Sequence, residues 1–133
     1  MTSADRGTGV IATAAGVLVF LMFLLFAVQL LFALYASSTV TAVTNDAAQR
    51  AAVRGAPSLA AIEADARASL GQVGDDALFS WDTADSDGDG DADTVVLRVL
   101  ATPPRFVPRS IGDGVGLGPI DRTARARIED GPQ

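Results

Sequence analysis

The sequence predicts an α+β protein in which a long N-terminal transmembrane helix continues into a small head, with one short helix and a roughly three-stranded antiparallel sheet. Two patterns predict this fold class. After Arg6 no charged residue occurs until Asp46, a gap of 39 residues. After residue 76, apolar and polar residues alternate at period two in three short segments. A long uncharged helix followed by short strands is typical of a membrane-anchored chain with a folded domain outside the bilayer.

The uncharged gap contains an apolar run, residues 10–36, that is long enough to cross a bilayer. Its 27 residues extend about 40 Å as a helix, compared with about 30 Å of hydrocarbon in a membrane. A cleaved secretory signal is the alternative, with Leu34-Tyr35-Ala36 as a weak cleavage motif before Ser37. The apolar run is about twice as long as the core of a signal peptide, so a retained transmembrane helix is favoured.

The segments on the two sides of this helix differ in charge and in length, and both properties bear on the orientation of the helix in the membrane. Arg6 precedes it and Arg50 and Arg54 follow it, so the distribution of positive charge does not decide the topology. Residues 1–9 form only a short leader, whereas residues 37–133 carry fifteen acidic residues. We therefore expect a single-pass protein of the cell membrane with its functional part outside the cytoplasm.

Beyond the bilayer the helix is predicted to continue over residues 37–55. Val40, Val43, Ala47 and Ala51 recur on one stripe, and Gly55-Ala56-Pro57 supplies a stop signal. Residues 56–133 then form the head, which is small for an independent core and relies on the helix or on a neighbouring subunit for stability.

The head begins with a short helix and continues with three strands. Ser58 is the predicted N-cap and Gly71 the stop, with Glu63 and Arg67 paired on the exposed face. One stripe of the helix carries Leu59, Ile62, Ala66 and Leu70. The inward-facing positions of the strands are Ala77, Phe79 and Trp81; Val95, Leu97 and Val99; and Ala124, Ala126 and Ile128.

Composition excludes several classes of function. The chain has no Cys and no His, which removes thiol nucleophiles, the commonest general base and most zinc sites. Its net charge of −6 argues against a nucleic-acid partner. Gly112, Gly114, Gly116 and Gly118 lie in a long Pro/Gly-rich loop and do not open a helix, so they do not form a nucleotide-binding motif. We expect no enzyme activity and no small-molecule substrate.

An acidic run between the first two strands is the sharpest chemical feature. Asp85, Asp87, Asp89, Asp91 and Asp93 occupy every second position. A calcium loop of the EF-hand type needs oxygen ligands at alternate positions, a Gly at position 6 and a Glu at position 12. Gly90 supplies the glycine, but Val96 stands where the Glu is needed. Weak calcium binding and a solvated hairpin loop, which favours the same residues, both remain open; no other cofactor is expected.

The transmembrane helix carries residues suited to packing against other helices. Gly9 with Thr13 and Ala12 with Gly16 place small residues four apart, which allows close helix approach. Gln29 lies among large apolar residues, where its amide would favour an interhelical hydrogen bond over an unpaired state. Incidental small residues and a tolerated amide are the alternative.

Four segments together carry a family resemblance: Asp5-Arg6-Gly7, Ala15-Gly16-Val17 through Phe26-Ala27-Val28-Gln29, Leu34-Tyr35-Ala36-Ser37-Ser38-Thr39-Val40-Thr41-Ala42 and Ile120-Asp121-Arg122-Thr123-Ala124-Arg125-Ala126-Arg127-Ile128-Glu129. They resemble the actinobacterial branch of the TadE-like pilus assembly proteins over the first 55 residues or so and the last strand. That family comprises pilin-like minor components of the tight-adherence (Flp) pilus.

The resemblance implies a structural role with other pilin-like or pilus assembly subunits as partners. It also implies cleavage by a prepilin peptidase after Gly7, which would leave Thr8 at the mature N-terminus. Many pilin-like chains carry Glu at the fifth mature position, and this chain departs from that pattern with Ala12. The alternatives are a membrane-tethered or secreted calcium-dependent binding module that uses the acidic run, and a single-pass membrane protein of an unrelated pathway.

Overall fold

The computed structural model describes residues 4–105, 108, 110 and 118–129, and its first element is one long helix. Helix α1 spans Ala4–Ala52, 49 residues, or about 73 Å at the usual rise. As predicted, the apolar helix continues well beyond residue 36. The chain turns away at Gly55, whose φ of 76° lies in the left-handed region that glycine adopts without strain.

Two helices follow, one predicted and one not. Helix α2 spans Leu59–Leu70, and the hydroxyl of Ser58 caps it by accepting the Ala61 N–H at 3.2 Å. It ends at Gly71, which has a φ of 58°, so both predicted ends are confirmed. Helix α3, Gln72–Asp75, was not expected, because four residues are too few to display a helical period.

The three predicted strands form one antiparallel sheet. Strands β1, β2 and β3 span Leu78–Ala84, Thr94–Ala101 and Ile120–Arg127. They lie side by side in sequence order, with β2 in the centre. Leu97 pairs with Trp81 on one side and with Ala124 on the other, so the predicted inward-facing positions share one face.

That face packs against α1 and α2, which gives two layers with the core between them. Ile62 of α2 and Leu97 and Val99 of β2 are almost fully buried. The buried positions of α1 in this core are Ala36, Val40, Ala47 and Ala48. Val43 and Ala51 of the predicted stripe are only partly buried, because the head covers the flank that includes Thr44 and Ala48.

An ion pair and a buried hydroxyl complete the contact of the head with α1. Arg50 lies 2.5 Å from Asp65 of α2 and 3.7 Å from Asp46 on its own helix. The pair within α1 is therefore the longer of the two. Thr44 donates its hydroxyl to the Val40 carbonyl at 2.6 Å, which satisfies a polar group inside the core.

Some sequence predictions fall outside the described residues. They concern residues 1–3 of the leader, the glycines 112, 114 and 116 of the long loop, and residues 130–133. The division of the chain into a leader, a transmembrane segment, a helix continuation and a head at residues 9, 36 and 55 stays a prediction.

Candidate functional site

The strands run along α1, which gives the head a lower and an upper end. At the lower end of β3, the Arg122 guanidinium donates to the hydroxyls of Ser37, at 2.8 Å, and Thr41, at 3.0 Å. At the upper end, the Glu129 N–H donates to the carbonyl of Ala52 at 3.2 Å. We call the lower end the base, formed by Leu78 and residues 100–105, and the loop over residues 85–93 the tip.

Below the head, α1 is exposed on every side. All residues from Gly7 to Val28 are exposed, and large apolar ones dominate, such as Phe23 at 69%. From Gly7 onward the helix is long and apolar enough to cross a membrane, by length and composition. Monomeric soluble proteins seldom expose so large a contiguous apolar surface, and such a surface is typical of a segment that contacts a bilayer or other protein helices.

The predicted packing residues lie on this exposed stretch. A Cβ placed on Gly9 or Gly16 meets no other atom within 4 Å, and Ala12 is exposed between them. The Thr13 hydroxyl donates back to the Gly9 carbonyl at 2.9 Å. Its proton is therefore used within α1 and does not point toward a neighbouring helix. The small-residue stripe is therefore open and could admit a second helix at close range.

The predicted processing site lies in the same helix. Gly7 and Thr8 are exposed, and both lie inside α1. Proteases act on locally unfolded backbone, so a cut after Gly7 would require the first turns of α1 to unwind. Among the described residues, no atom lies within 4 Å of a Cβ placed on Gly7, so this position is not packed against the head.

Gln29 has a partner that sequence reasoning missed. It is 1% exposed, and its Nε2 donates to the carbonyl of Pro104 in the base at 3.3 Å. We expected this amide to serve a neighbouring helix, but in the structure it binds the chain's own head. The sequence indicates that a buried amide needs a partner, yet no local pattern connects residues 75 positions apart.

At the tip, backbone N–H groups organise the acidic run. The Asp85 carboxylate accepts the N–H groups of Gly88 at 2.6 Å and Gly90 at 2.8 Å. The Asp93 carboxylate accepts the Ser86 hydroxyl at 2.5 Å and N–H at 2.9 Å. Gly88 and Gly90 have φ values of 80° and 96°, which explains why glycine stands at both turns.

These hydrogen bonds favour the charged form of the two carboxylates. The N–H groups of Gly90 and then Gly88 hold the pKa of Asp85 below its ordinary value of 3.8. The Ser86 hydroxyl, followed by the Ser86 N–H, likewise lowers the pKa of Asp93. Both groups are therefore anions at neutral pH, suited to ion pairing and far from the pKa that general acid–base catalysis needs.

Three of the five predicted metal ligands come together. Asp85, Asp87 and Asp89 each place a carboxylate oxygen within 4.8 Å of the others, and all three are exposed. Asp91 and Asp93 lie outside this group, and Arg127 lies 3.8 Å from Asp87 and 3.7 Å from Asp93. Arg127 thus supplies part of the positive charge that a cation would bring, so any calcium binding here would be weak.

Arg67 is a further residue whose role the sequence did not indicate. It pairs with Glu63 at 3.1 Å as predicted. It also donates to the carbonyls of Gly74 at 2.8 Å and Ala77 at 2.9 Å, and its guanidinium lies 5.0 Å from the centre of the Phe79 ring. Far from being a simple surface residue, it joins α2 to α3 and β1.

No protein family, curated protein or solved structure matches this chain.

Proposed function

We propose that this chain is a pilin-like, membrane-anchored structural component of a tight-adherence (Flp) pilus or a related secretion machine. One observation carries the proposal: α1 is continuous, apolar and exposed on all sides below the head, while its upper part is built into the head's core. A subunit of this shape can reside in a bilayer and later exchange lipid for sister helices without refolding its head.

The arrangement of polar groups is consistent with a structural subunit. In the described part of the chain, several carboxylates and guanidinium groups pair with one another, as Arg98 does with Asp121 and Arg50 with Asp65. The open surfaces are the apolar stretch of α1 and the acidic tip. These suit contacts with a membrane and with other subunits, with the head on the extracytoplasmic side.

Helix packing can be tested by crosslinking in native membranes. The chain has no cysteine, so a single Val17→Cys variant reports contacts between α1 and a partner helix. Adding Gly16→Leu should abolish the crosslinks, because an isobutyl group blocks close approach on the small-residue stripe. Ala14→Leu, which adds the same side chain on the opposite face of the helix, is the matched control. Equal crosslinking in both variants would contradict the proposal.

The mass of the chain purified from native membranes tests processing. Loss of residues 1–7 would identify a processed pilin-like subunit with Thr8 at its N-terminus. A chain beginning at residue 1 or 2 would favour a permanent membrane-anchored assembly protein. A chain beginning at Ser37 would contradict the membrane anchor and favour a secreted module.

A calcium-dependent binding module is the second candidate, favoured by the approach of Asp85, Asp87 and Asp89 to within 4.8 Å. Calorimetry of the full chain in nanodiscs with millimolar calcium tests it, with Asp87→Asn and Asp89→Asn together as the variant and Asp82→Asn on β1 as the control. Heat that only the double variant loses would support calcium binding. No heat with the unaltered chain would exclude a calcium module.

A further inference from the structure

The apolar run of α1 is longer than a bilayer requires. Residues 10–36 extend about 40 Å, whereas the hydrocarbon core is about 30 Å thick. The excess of about 10 Å corresponds to about seven helical residues. Tilting of the helix is one way in which membranes accommodate such an excess, but the head places a further constraint on this one.

The head reaches down along the excess segment. The hydrogen bond from Gln29 to Pro104 places the base beside α1 seven residues before Ala36, where the apolar run ends. On the face of α1 turned away from the head, Leu31 and Tyr35 are 67% and 71% exposed. The same segment is thus apolar on its outer face and covered by the head on its inner face.

The outer face of the sheet places exposed apolar and charged side chains side by side at its lower end. Leu78 and Leu100 pair in register on the outer face of the sheet and are 66% and 37% exposed. One step further from the base, that face carries Ser80 and Arg98, which also pair in register. Arg98 binds Asp121, the in-register neighbour of Leu100 on β3, through its Nε and a second guanidinium nitrogen. Two exposed leucines beside a charged pair suit a membrane interface, where apolar and polar groups meet.

We propose that the base of the head, Leu78 with residues 100–105, is seated in the headgroup region of the leaflet on the head's side of the membrane. The bilayer is the occupant because α1 already enters it directly below and because Pro104 is held against a residue of the apolar run. The next residue, Arg105, is half-buried, so this end of the base combines apolar and charged residues, as membrane interfaces do. This inference rests on the transmembrane placement of α1 given under the proposed function.

Depth-dependent fluorescence quenching of the full chain in phosphatidylcholine nanodiscs tests the proposal. Single-cysteine variants Leu78→Cys, Ser80→Cys and Asp82→Cys carry an environment-sensitive fluorophore at successive outward-facing positions of β1, about 7 Å apart. Leu100→Cys repeats the measurement on a second strand in case the first variant does not fold. Ala92→Cys at the tip is the aqueous control and Val17→Cys the control in the bilayer.

We expect the probes at positions 78 and 100 to be blue-shifted and quenched by headgroup and shallow-chain nitroxide lipids. Quenching at position 78 should exceed that at position 82 about twofold, because about 13 Å separates them. Probes at 78 and 100 that behave like the one at 92, while position 17 is quenched, would overturn this inference alone. An unquenched position 17 would overturn the transmembrane placement as well. A blue shift without lipid quenching would mean that another protein copy covers the base, which also overturns the proposal.

Discussion

From Val17 to Val28, α1 presents large side chains such as Phe20, Met22 and Phe23 on every side, whereas from Gln29 to Ala52 it turns mostly small residues toward the head. The two stretches suit different surroundings. Small side chains such as Ala47 and Ala48 let the sheet and α2 pack close to the helix. Large side chains that point outward in every direction favour lipid or another helix. Side-chain size and polarity both separate the two stretches, since charged residues occur only in the second.

The largest effect is expected when a leucine is removed from the core of the head, and it can be compared with the removal of a leucine from the exposed stretch of α1. Leu97→Ala should lower the free energy of unfolding of the head by about 2–5 kcal/mol, because Leu97 is fully buried and its loss leaves a cavity. Leu18→Ala removes the same atoms from an exposed position of α1 and should leave the head unchanged. Denaturant unfolding in nanodiscs, followed by Trp81 fluorescence, measures both. Equal destabilisation would show that the head and the exposed stretch form one cooperative unit.

The two environments should also differ in their tolerance of a single added methyl group. Gly74→Ala should destabilise the head by about 1–3 kcal/mol, because a Cβ at Gly74 would overlap the Arg67 carbonyl oxygen. Gly9→Ala meets no atom within 4 Å and should leave thermal unfolding of the head unaltered. A Gly74→Ala chain with unchanged unfolding temperature would argue against the close approach of α3 to α2.

Gln29 lies at the boundary between the two stretches, so its substitution should loosen the contact between α1 and the base of the head. Gln29→Ala removes the hydrogen bond to Pro104, at a cost of about 1 kcal/mol. Hydrogen exchange at the lower end of α1 and in residues 100–105 should become faster, while the tip keeps its protection. Gln49→Ala, at an exposed position of the same helix, is the matched control. Uniformly faster exchange throughout the head would contradict a local role for Gln29.

The smallest expected effect concerns the tip, which lies at the opposite end of the head from the base and depends on charge instead of apolar packing. Because hydrogen bonds lower the Asp85 pKa below 3.8, the folded tip favours the carboxylate. Its stabilisation is complete above pH 3.8 and is lost as the pH falls through the lowered pKa. The N–H groups of Gly88 and Gly90 should therefore lose hydrogen-exchange protection only below pH 3.8. In an Asp85→Asn chain we expect weak protection at every pH.

Much of the fold was predictable because its helices and strands have local sequence signals, such as caps and periodic apolar residues. Ser58 and Gly71 bound α2 as their residue types indicate, and the alternation around Phe79, Leu97 and Ala124 correctly predicts which face of each strand is inside. Helix α3 was missed because one turn has no period. Arg122 lies between Ile120 and Ala124 on the inward-facing register, and no sequence pattern assigned it a partner. It reaches the edge of the sheet and binds Ser37 and Thr41 there.

The acidic tip shows where residue spacing stops being informative. Alternate aspartates suggested five equivalent ligands, but only Asp85, Asp87 and Asp89 converge. Asp93 is instead bound by Ser86 and Thr94 at the start of β2. The carboxylates separate because the two glycines reverse the chain, and the direction of each turn depends on backbone dihedral angles that composition does not encode.

Local physical chemistry thus settles which segments of this chain become helix or strand, where they end and which faces are apolar, because periodicity, capping and charge act over a few residues. The partners of those faces depend on contacts across the chain. Tertiary packing alone brings Pro104 to Gln29, Arg122 to Ser37 and Arg67 to Gly74 and Ala77. These pairs form because donors and acceptors that are distant along the chain meet in space, and the sheet that brings them together exists only once its three strands have aligned.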